Sequence, residues 1–402
     1  MYKRLRGTKD YLFTEVEKLR FLEDTARRIF KSFGYKEIIT PIIEEESLFI
    51  RGLGEGSEIV KKQMYSFKDK KGRNVVLRPE GTAPVVRALI ENGVFSNTKS
   101  PWKFFYSGPM FRYERPQKGR TRQFHQIGCE YFGVKEIYAD FEVIFIGKKI
   151  LDDLNIDYEI FINYLGCSEC RSKYSKVLKE FFSNKKEELC SDCRERLNYN
   201  VLRILDCKKE NIKGIPEIEN YLCNECKNNF DNLKEILRLN EMDFSIDPYL
   251  VRGLDYYTGI VFEFKTKLLG SQDAILAGGR YDELTKEIGG PDIPATGFAL
   301  GVERVIELFD LKTTELVEYG IIFIGDEAKK KVFEIIEEFF KKNKSFIVFW
   351  EEGSLKSKMR KAQSKCKKAI IIGEDEIKGD YLTVKDFMEN KEEKIKLSRI
   401  VK

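Results

Sequence analysis

GPMFRYERPQKGRTRQFHQIGCEYFG, residues Gly108–Gly133, is the stretch on which the reading of this chain turns. It gathers five cationic side chains (Arg112, Arg115, Lys118, Arg120, Arg122) around one acid, Glu114. PWKFFYSG just before it and CEYFG at its end are rich in aromatic residues, which suit a pleated surface, so both flanks read as strands. Pro116–Gly119 between them reads as the turn. Guanidinium forks bind phosphate oxygens bidentately, so a hairpin with an arginine-rich loop suits a triphosphate or an RNA backbone. Taken alone, the same charges also fit a solvated basic loop.

Upstream, Leu12 to Phe33 has helical periodicity and stops at Gly34, a plausible C-cap. EIITPIIEE (Glu37–Glu45) reads as a strand interrupted by Pro41, as at an edge or junction. GLGEGSE (Gly52–Glu58) lacks the spacing of a dinucleotide fingerprint and reads as a mobile loop beside a pocket or as an ordinary turn. No G-x-x-x-x-G-K-[ST] loop occurs, so any nucleotide is held another way. Downstream, YEIFINYL (Tyr158–Leu165) is a strand entering a helical insert. Helices are expected at Lys173–Phe182 and Lys185–Leu197, broken at Ser183–Asn184, and from Asn224 to Leu239. Leu308–Glu318 reads as a linker. Beyond it GIIFIG (Gly320–Gly325), FIVF (Phe346–Phe349) and AIIIG (Ala369–Gly373) alternate with helices, which predicts a small α/β domain with a mainly parallel sheet. Its helix Ser354–Lys368 carries seven basic residues and no acid. Leu355, Met359, Ala362, Cys366 and Ala369 form one apolar stripe that should pack on the sheet. The basic face is either simply solvated or an RNA contact.

A chain of 402 residues, 42% hydrophobic and 34% charged, can bury a substantial core in two or three domains. Its net charge of +5 is mild, so any nucleic-acid binding rests on local patches. No apolar run approaches a membrane span, and MYKRLRGTKD lacks a signal-peptide core, so the expected location is the cytoplasm. Seven of the nine cysteines (Cys167, Cys170, Cys190, Cys193, Cys207, Cys223, Cys226) fall in one short region, mostly as C-x-x-C pairs. In a cytosolic protein this favours metal over disulfides. Any two pairs could give the Cys₄ set that zinc prefers. If the helices fold back at Ser183, Cys170 and Cys190 differ in height by about 9 Å at ~1.5 Å per residue, too far to share an ion. The outer pairs, Cys167–Cys170 and Cys223–Cys226, are therefore the expected ligands, with Cys190–Cys193 the alternative pair. Reduced cysteines without metal are the other reading.

The Gly108–Gly133 stretch resembles motif 2 of class II aminoacyl-tRNA synthetases in the form found in histidyl-tRNA synthetases. RGTKD (Arg6–Asp10), RPEGTAPVVR (Arg78–Arg87), LVRGLDYYTGIVFEF (Leu250–Phe264), AGGRYDEL (Ala277–Leu284) and ATGFALGVERV (Ala295–Val305) match in family order. The last of these looks like motif 3. The resemblance covers essentially the whole chain. It implies an α+β class II catalytic domain, an antiparallel sheet flanked by helices, over residues 1–315 with a helical cysteine-rich insertion at 167–240. A small α/β anticodon-binding domain would follow at 319–402. Glu37–Glu45 lies where the family carries its dimer interface.

The implied activity is formation of histidyl-adenylate from histidine and ATP, then transfer to the 3′ end of tRNA(His). Arg112 and Arg252 match arginines on opposite sides of the α-phosphate. Arg304, Glu114 and Arg120 match contacts to the rest of ATP, whose outer phosphates imply Mg²⁺. Glu130 matches the acceptor of one imidazole nitrogen, Tyr257 the partner of the other, with Tyr256 beside it. Glu80, Thr82 and Gln126 match the groups at the amino and carboxylate ends. A site that hydrogen-bonds a polar side chain can discriminate by roughly 10⁴–10⁵-fold without editing. Gln117 and Arg122 are expected to meet the tRNA acceptor end, and Lys356 and Arg360 the anticodon region. A structural Zn²⁺ in the insertion would rigidify it without joining the chemistry. His125 is expected to be a packed hairpin residue. The same fold also serves as a non-catalytic histidine-binding regulatory subunit of ATP phosphoribosyltransferase. Such paralogues typically lose the motif arginines, all of which are present here.

Overall fold

The computed structural model describes residues 2–54, 56–117, 119–207, 213–270, 273–311 and 316–396. Lys118 of the basic loop and part of the Leu308–Glu318 linker lie outside the described residues. The chain divides into two compact units, Met1–Leu311 and Lys312–Lys402.

The aromatic flanks of the basic loop form the long strands Trp102–Phe111 and Gln123–Phe132, paired antiparallel from Trp102↔Phe132 to Phe111↔Gln123. Four further strands extend them antiparallel in the order Ala295–Gly301, Ala274–Arg280, Thr258–Lys265 and Glu159–Tyr164. Short parallel strands, Lys36–Glu37 and Ser245–Ile246, complete the two edges of this eight-stranded sheet. Strand alternation then separates two environments. In Gln123–Phe132, Ile127, Cys129 and Tyr131 face a core shared with helices Thr14–Ser32 and Tyr138–Asp153. Gln126 and Glu130 point the other way, into a cleft.

Glu37–Glu45 is not one strand broken at a proline. Lys36–Glu37 joins the large sheet, whereas Ile43–Glu45 pairs in a separate three-stranded antiparallel sheet with Asn74–Leu77 and Tyr65–Lys68. Pro41 has no N–H to give to a ladder and sits at the crossing between the two sheets. In the insert, the first helix runs Ser168–Asn184, two residues past its expected end at Phe182. The next helix is confined to Ser191–Tyr199, and the third is Asn224–Leu239 as expected.

The second unit is a five-stranded sheet in the order Phe346–Val348, Val317–Phe323, Cys366–Ile372, Tyr381–Asp386, Lys391–Lys396. The first three strands are parallel and the last two antiparallel, so the sheet is mixed and not mainly parallel. Helix Asp326–Lys341 buries Ala328, Val332, Ile335 and Phe339 against one face. Helix Leu355–Lys365, capped by the Ser354 hydroxyl, covers the other through Ala362 and Met359. This helix ends three residues earlier than its basic run suggests. Cys366 and Ala369 belong to the following strand, and Leu355 is exposed. Lys358 does not join the basic face either: it is buried, with its ammonium on the Phe323 carbonyl (3.2 Å) and over that residue's ring. Lys356 and Arg360 are exposed.

Candidate active site

The cleft holds about 1000 Å³, its solvent-open mouth included, on the face of the large sheet away from the helices Thr14–Ser32 and Tyr138–Asp153. Glu80, Thr82, Arg112, Glu114, Arg120, Gln126, Glu130, Arg252, Tyr256, Tyr257 and Arg304 all line it. The sequence thus scatters these residues over more than two hundred positions and the sheet gathers them.

Glu130 forms the floor, 1% exposed. Its carboxylate accepts hydrogen bonds from the Thr82 hydroxyl (2.7 Å) and from the Tyr281 hydroxyl. Burial raises its pKa to about 8, although both donors pull it down. Room for the carboxylate exists because its cross-strand neighbour is Gly297. A Cβ there would lie 2.0 Å from Glu130 Oε2. Tyr256, Tyr257 and Tyr281 form an aromatic wall, with ring centroids of the first two 4.7 Å apart. Each of the three phenols is driven above its ordinary pKa, first by burial, so all stay protonated donors at neutral pH.

Glu80 precedes helix Thr82–Glu91 and caps it, its two oxygens accepting from the backbone N–H of Thr82 (2.7 Å) and Ala83 (2.8 Å). This is the acid that a helix N-terminus attracts. Burial nevertheless lifts its pKa.

Four arginines approach the cleft. Arg112, just past the end of its strand, donates through Nε to the Pro79 carbonyl (2.8 Å) and lies over the Phe124 ring. Arg252 sits in the loop before strand Thr258–Lys265 and is paired with Glu263, which also has Lys265 at 3.2 Å. Burial depresses Arg252, but the charge of Glu263 and its neighbours outweighs it and the pKa is raised. Arg304 donates to the carbonyls of Gly119 (3.0 Å) and Ala274 (2.5 Å). Arg120 and Glu114 form an ion pair at 2.8 Å. Two buried polar atoms in the cleft, Gln126 Oε1 and Arg252 Nε, have no hydrogen-bond partner among the described residues. Buried polar atoms are rarely left so, and here they fit a polar substrate.

Other expected residues fall elsewhere. Gln117 is exposed at the tip of the basic loop, bridged to Arg120. Arg122 is instead turned inward: its guanidinium stacks on Tyr113 at 3.9 Å, and its side chain packs against Gly7 of the RGTKD segment. His125 is packed, its Nδ1 3.0 Å from Glu303, which also accepts from Tyr11. The residues that sequence reasoning missed are Tyr281 and Glu263. A carboxylate in the otherwise apolar run TGIVFEF was the available signal for Glu263, since a buried charge needs a cation.

The outer cysteines come together. The sulfurs of Cys167, Cys170, Cys223 and Cys226 all lie within 4.8 Å of one another, with Cys167 and Cys170 at 3.6 Å. A tetrahedral zinc with Zn–S of about 2.3 Å sets its sulfurs about 3.8 Å apart, so the residues fit the ion. Cys167 and Cys223 are each the N-cap of a helix, and backbone N–H groups of Cys223 and Cys167 point at Cys170 (3.1 Å) and Cys226 (3.3 Å). The N–H groups lower a thiol's pKa, as they do at Cys223, but at Cys170 and Cys226 burial outweighs them and the thiols are pushed up. Among the described residues no helix is long and apolar enough to cross a membrane.

A sequence model described as histidyl-tRNA synthetase matches residues 7–305. The histidine–tRNA ligase of Halothermothrix orenii is 46% identical over 99% of this chain and 98% of its own length. That of Aquifex aeolicus is 44% identical over 98% and 99%. The crystal structure of apo S. aureus histidyl-tRNA synthetase superposes with a TM-score of 0.85 at 32% identity, covering 100% of this chain and 99% of that one. Matches over this much of the chain join the geometry of the cleft in one conclusion: the chain belongs to the histidyl-tRNA synthetase family.

Proposed function

We propose that histidine lies in this cleft with its imidazole between Glu130 and Tyr257, and that Arg112 and Arg252 hold the α-phosphate of ATP from opposite sides. The family's reaction, which this chain carries out, joins histidine to its tRNA while ATP becomes AMP and diphosphate. In the first step a histidine carboxylate oxygen attacks the α-phosphorus. The bond to the bridging oxygen breaks, and diphosphate leaves with its electron pair. Charge builds on the phosphate oxygens, so the protein's work is positioning and electrostatic stabilisation. Both arginines remain cationic at any working pH. In the second step a hydroxyl of the tRNA's terminal ribose attacks the carbonyl carbon and AMP leaves. Arg304, Glu114 and Arg120 hold the rest of ATP, with Mg²⁺ accompanying its outer phosphates. Glu80, Thr82 and Gln126 fix the amino and carboxylate ends, with Tyr256 alongside.

Gln117, exposed on the basic loop, meets the acceptor stem, and Arg122 acts by holding the loop. Lys356 and Arg360 offer exposed charge to the anticodon region. The four outer cysteines hold a structural zinc that ties the two ends of the insert. Two chains associate through the Pro41 region, and the protein works in the cytoplasm.

The observation that carries this reading is the pairing of two largely buried guanidinium groups with a buried, hydrogen-bonded carboxylate in one cleft. Arg252→Ala tests it, because Lys265 still neutralises Glu263 and the fold should survive. Histidine-dependent pyrophosphate exchange should lose roughly 10²–10³-fold in kcat, with a small change in KM for histidine. An unchanged kcat would remove Arg252 from the chemistry.

A further inference from the structure

Cys190, Cys193 and Cys207 stand apart from the four-cysteine cluster, and their sulfurs also lie within 4.8 Å of one another. Their local structure repeats that of the outer pairs. Cys190 caps helix Ser191–Tyr199 with φ −65° and ψ 164°, against −71° and 176° for Cys167 and −69° and 164° for Cys223. In all three the second cysteine of C-x-x-C is buried one turn into the helix. Cys207 then closes the set from the far end of the segment, its sulfur 3.9 Å from that of Cys190.

We propose that these three thiolates form a second zinc site, and that the ion closes residues 190–207 into a clamp on the Arg252 loop. A water or one further side chain completes the tetrahedron, since three thiolates leave one position. The clamp is visible in what the segment grips. Arg196 pairs with Glu58 and donates to the Arg203 carbonyl (2.9 Å). Asn200 donates to the Asp255 carboxylate (2.7 Å). The buried Arg203 donates to the backbone carbonyl of Arg252 itself (3.0 Å). A metal holding both ends of the segment would therefore fix the backbone on which Arg252 is mounted. Arg203 and Asn200 act here as positioning residues, through that backbone and not on substrate.

The test is zinc content of the full chain, with cobalt substitution to count thiolates by their charge-transfer absorption. Wild type should carry two ions, Cys207→Ala one, and Cys207→His two again, because imidazole also binds zinc. Cys170→Ala should lose the other ion, so failure at either site is told apart. Exchange kcat should fall roughly ten- to hundredfold in Cys207→Ala and return in Cys207→His. An ion content that Cys207→Ala leaves unchanged from wild type, or a Cys190–Cys207 disulfide in the purified protein, would overturn the site. Loss of the ion with unchanged kcat would overturn the clamp.

Discussion

Tyr281 donates its hydroxyl to the Glu130 carboxylate at the floor of the cleft, from the strand end that follows the paired glycines Gly278 and Gly279. The carboxylate faces the proposed imidazole, so its charge and aim determine which side chain the pocket accepts. Tyr281→Phe should leave Glu130 with the Thr82 donor and a pKa raised further, because the lost bond favoured the ionised form. A hydrogen bond between neutral groups is worth about 0.5–1.5 kcal/mol, so kcat/KM for histidine should fall by roughly 2–10-fold. Steady-state exchange kinetics check this.

Burial holds the Glu130 pKa at about 8 against an ordinary 4.5. The folded protein therefore keeps a proton that the unfolded chain releases, and stability falls as pH rises from about 4.5 to about 8. At ~1.36 kcal/mol per pH unit the effect is on the order of 5 kcal/mol. Glu130→Gln cannot ionise and should gain on wild type across that window, with the two closest at low pH. Denaturant unfolding of the ligand-free proteins between pH 5 and 8.5 measures it; parallel curves would refute the assignment.

Gly297 leaves space that no side chain can share. In Gly297→Ala the new Cβ would meet Glu130 Oε2 at 2.0 Å and the Cys129 carbonyl oxygen at 2.4 Å. Overpacking of this kind costs about 1–3 kcal/mol or more, so the Tm should drop and histidine binding should go with it. Gly34, with nothing near its Cβ position, is the contrast for steric crowding, though its positive φ carries its own strain.

Around Pro41 the apolar side chains Ile39, Ile42 and Ile43 are 85%, 41% and 53% exposed. Exposed apolar side chains grouped in this way fit an interaction surface, and they lie in the segment proposed above for dimerisation. Ile39→Asp combined with Ile42→Asp should halve the mass found by sedimentation. A wild-type chain that is monomeric and fully active would remove the dimer from the account.

Much of this was legible in the chain. The aromatic flanks of the basic loop announced two strands, and the rise along a helix hairpin set the outer cysteine pairs apart from Cys190–Cys193. What stayed hidden depends on contacts between distant residues. KEEKIK (Lys391–Lys396) has no apolar face and is a strand only because Tyr381–Asp386 offers it a ladder. Cys366 looked like the last turn of a helix but is drawn into the strand beside Val317. That Arg122 packs on Gly7 and Tyr113 could not be read from the chain, because those partners come from other segments. Tyr281 could not be singled out, because its role depends on a carboxylate 151 positions away.

Activation of histidine in this cleft is read by pyrophosphate exchange into ATP, run on the full chain with each of the twenty amino acids. Exchange with histidine alone is expected. Exchange driven by a different amino acid would contradict the assignment of Glu130 and Tyr257. No exchange at all, from folded protein that still binds histidine, would contradict the roles given to Arg112 and Arg252 and mark the chain as a histidine-binding regulator.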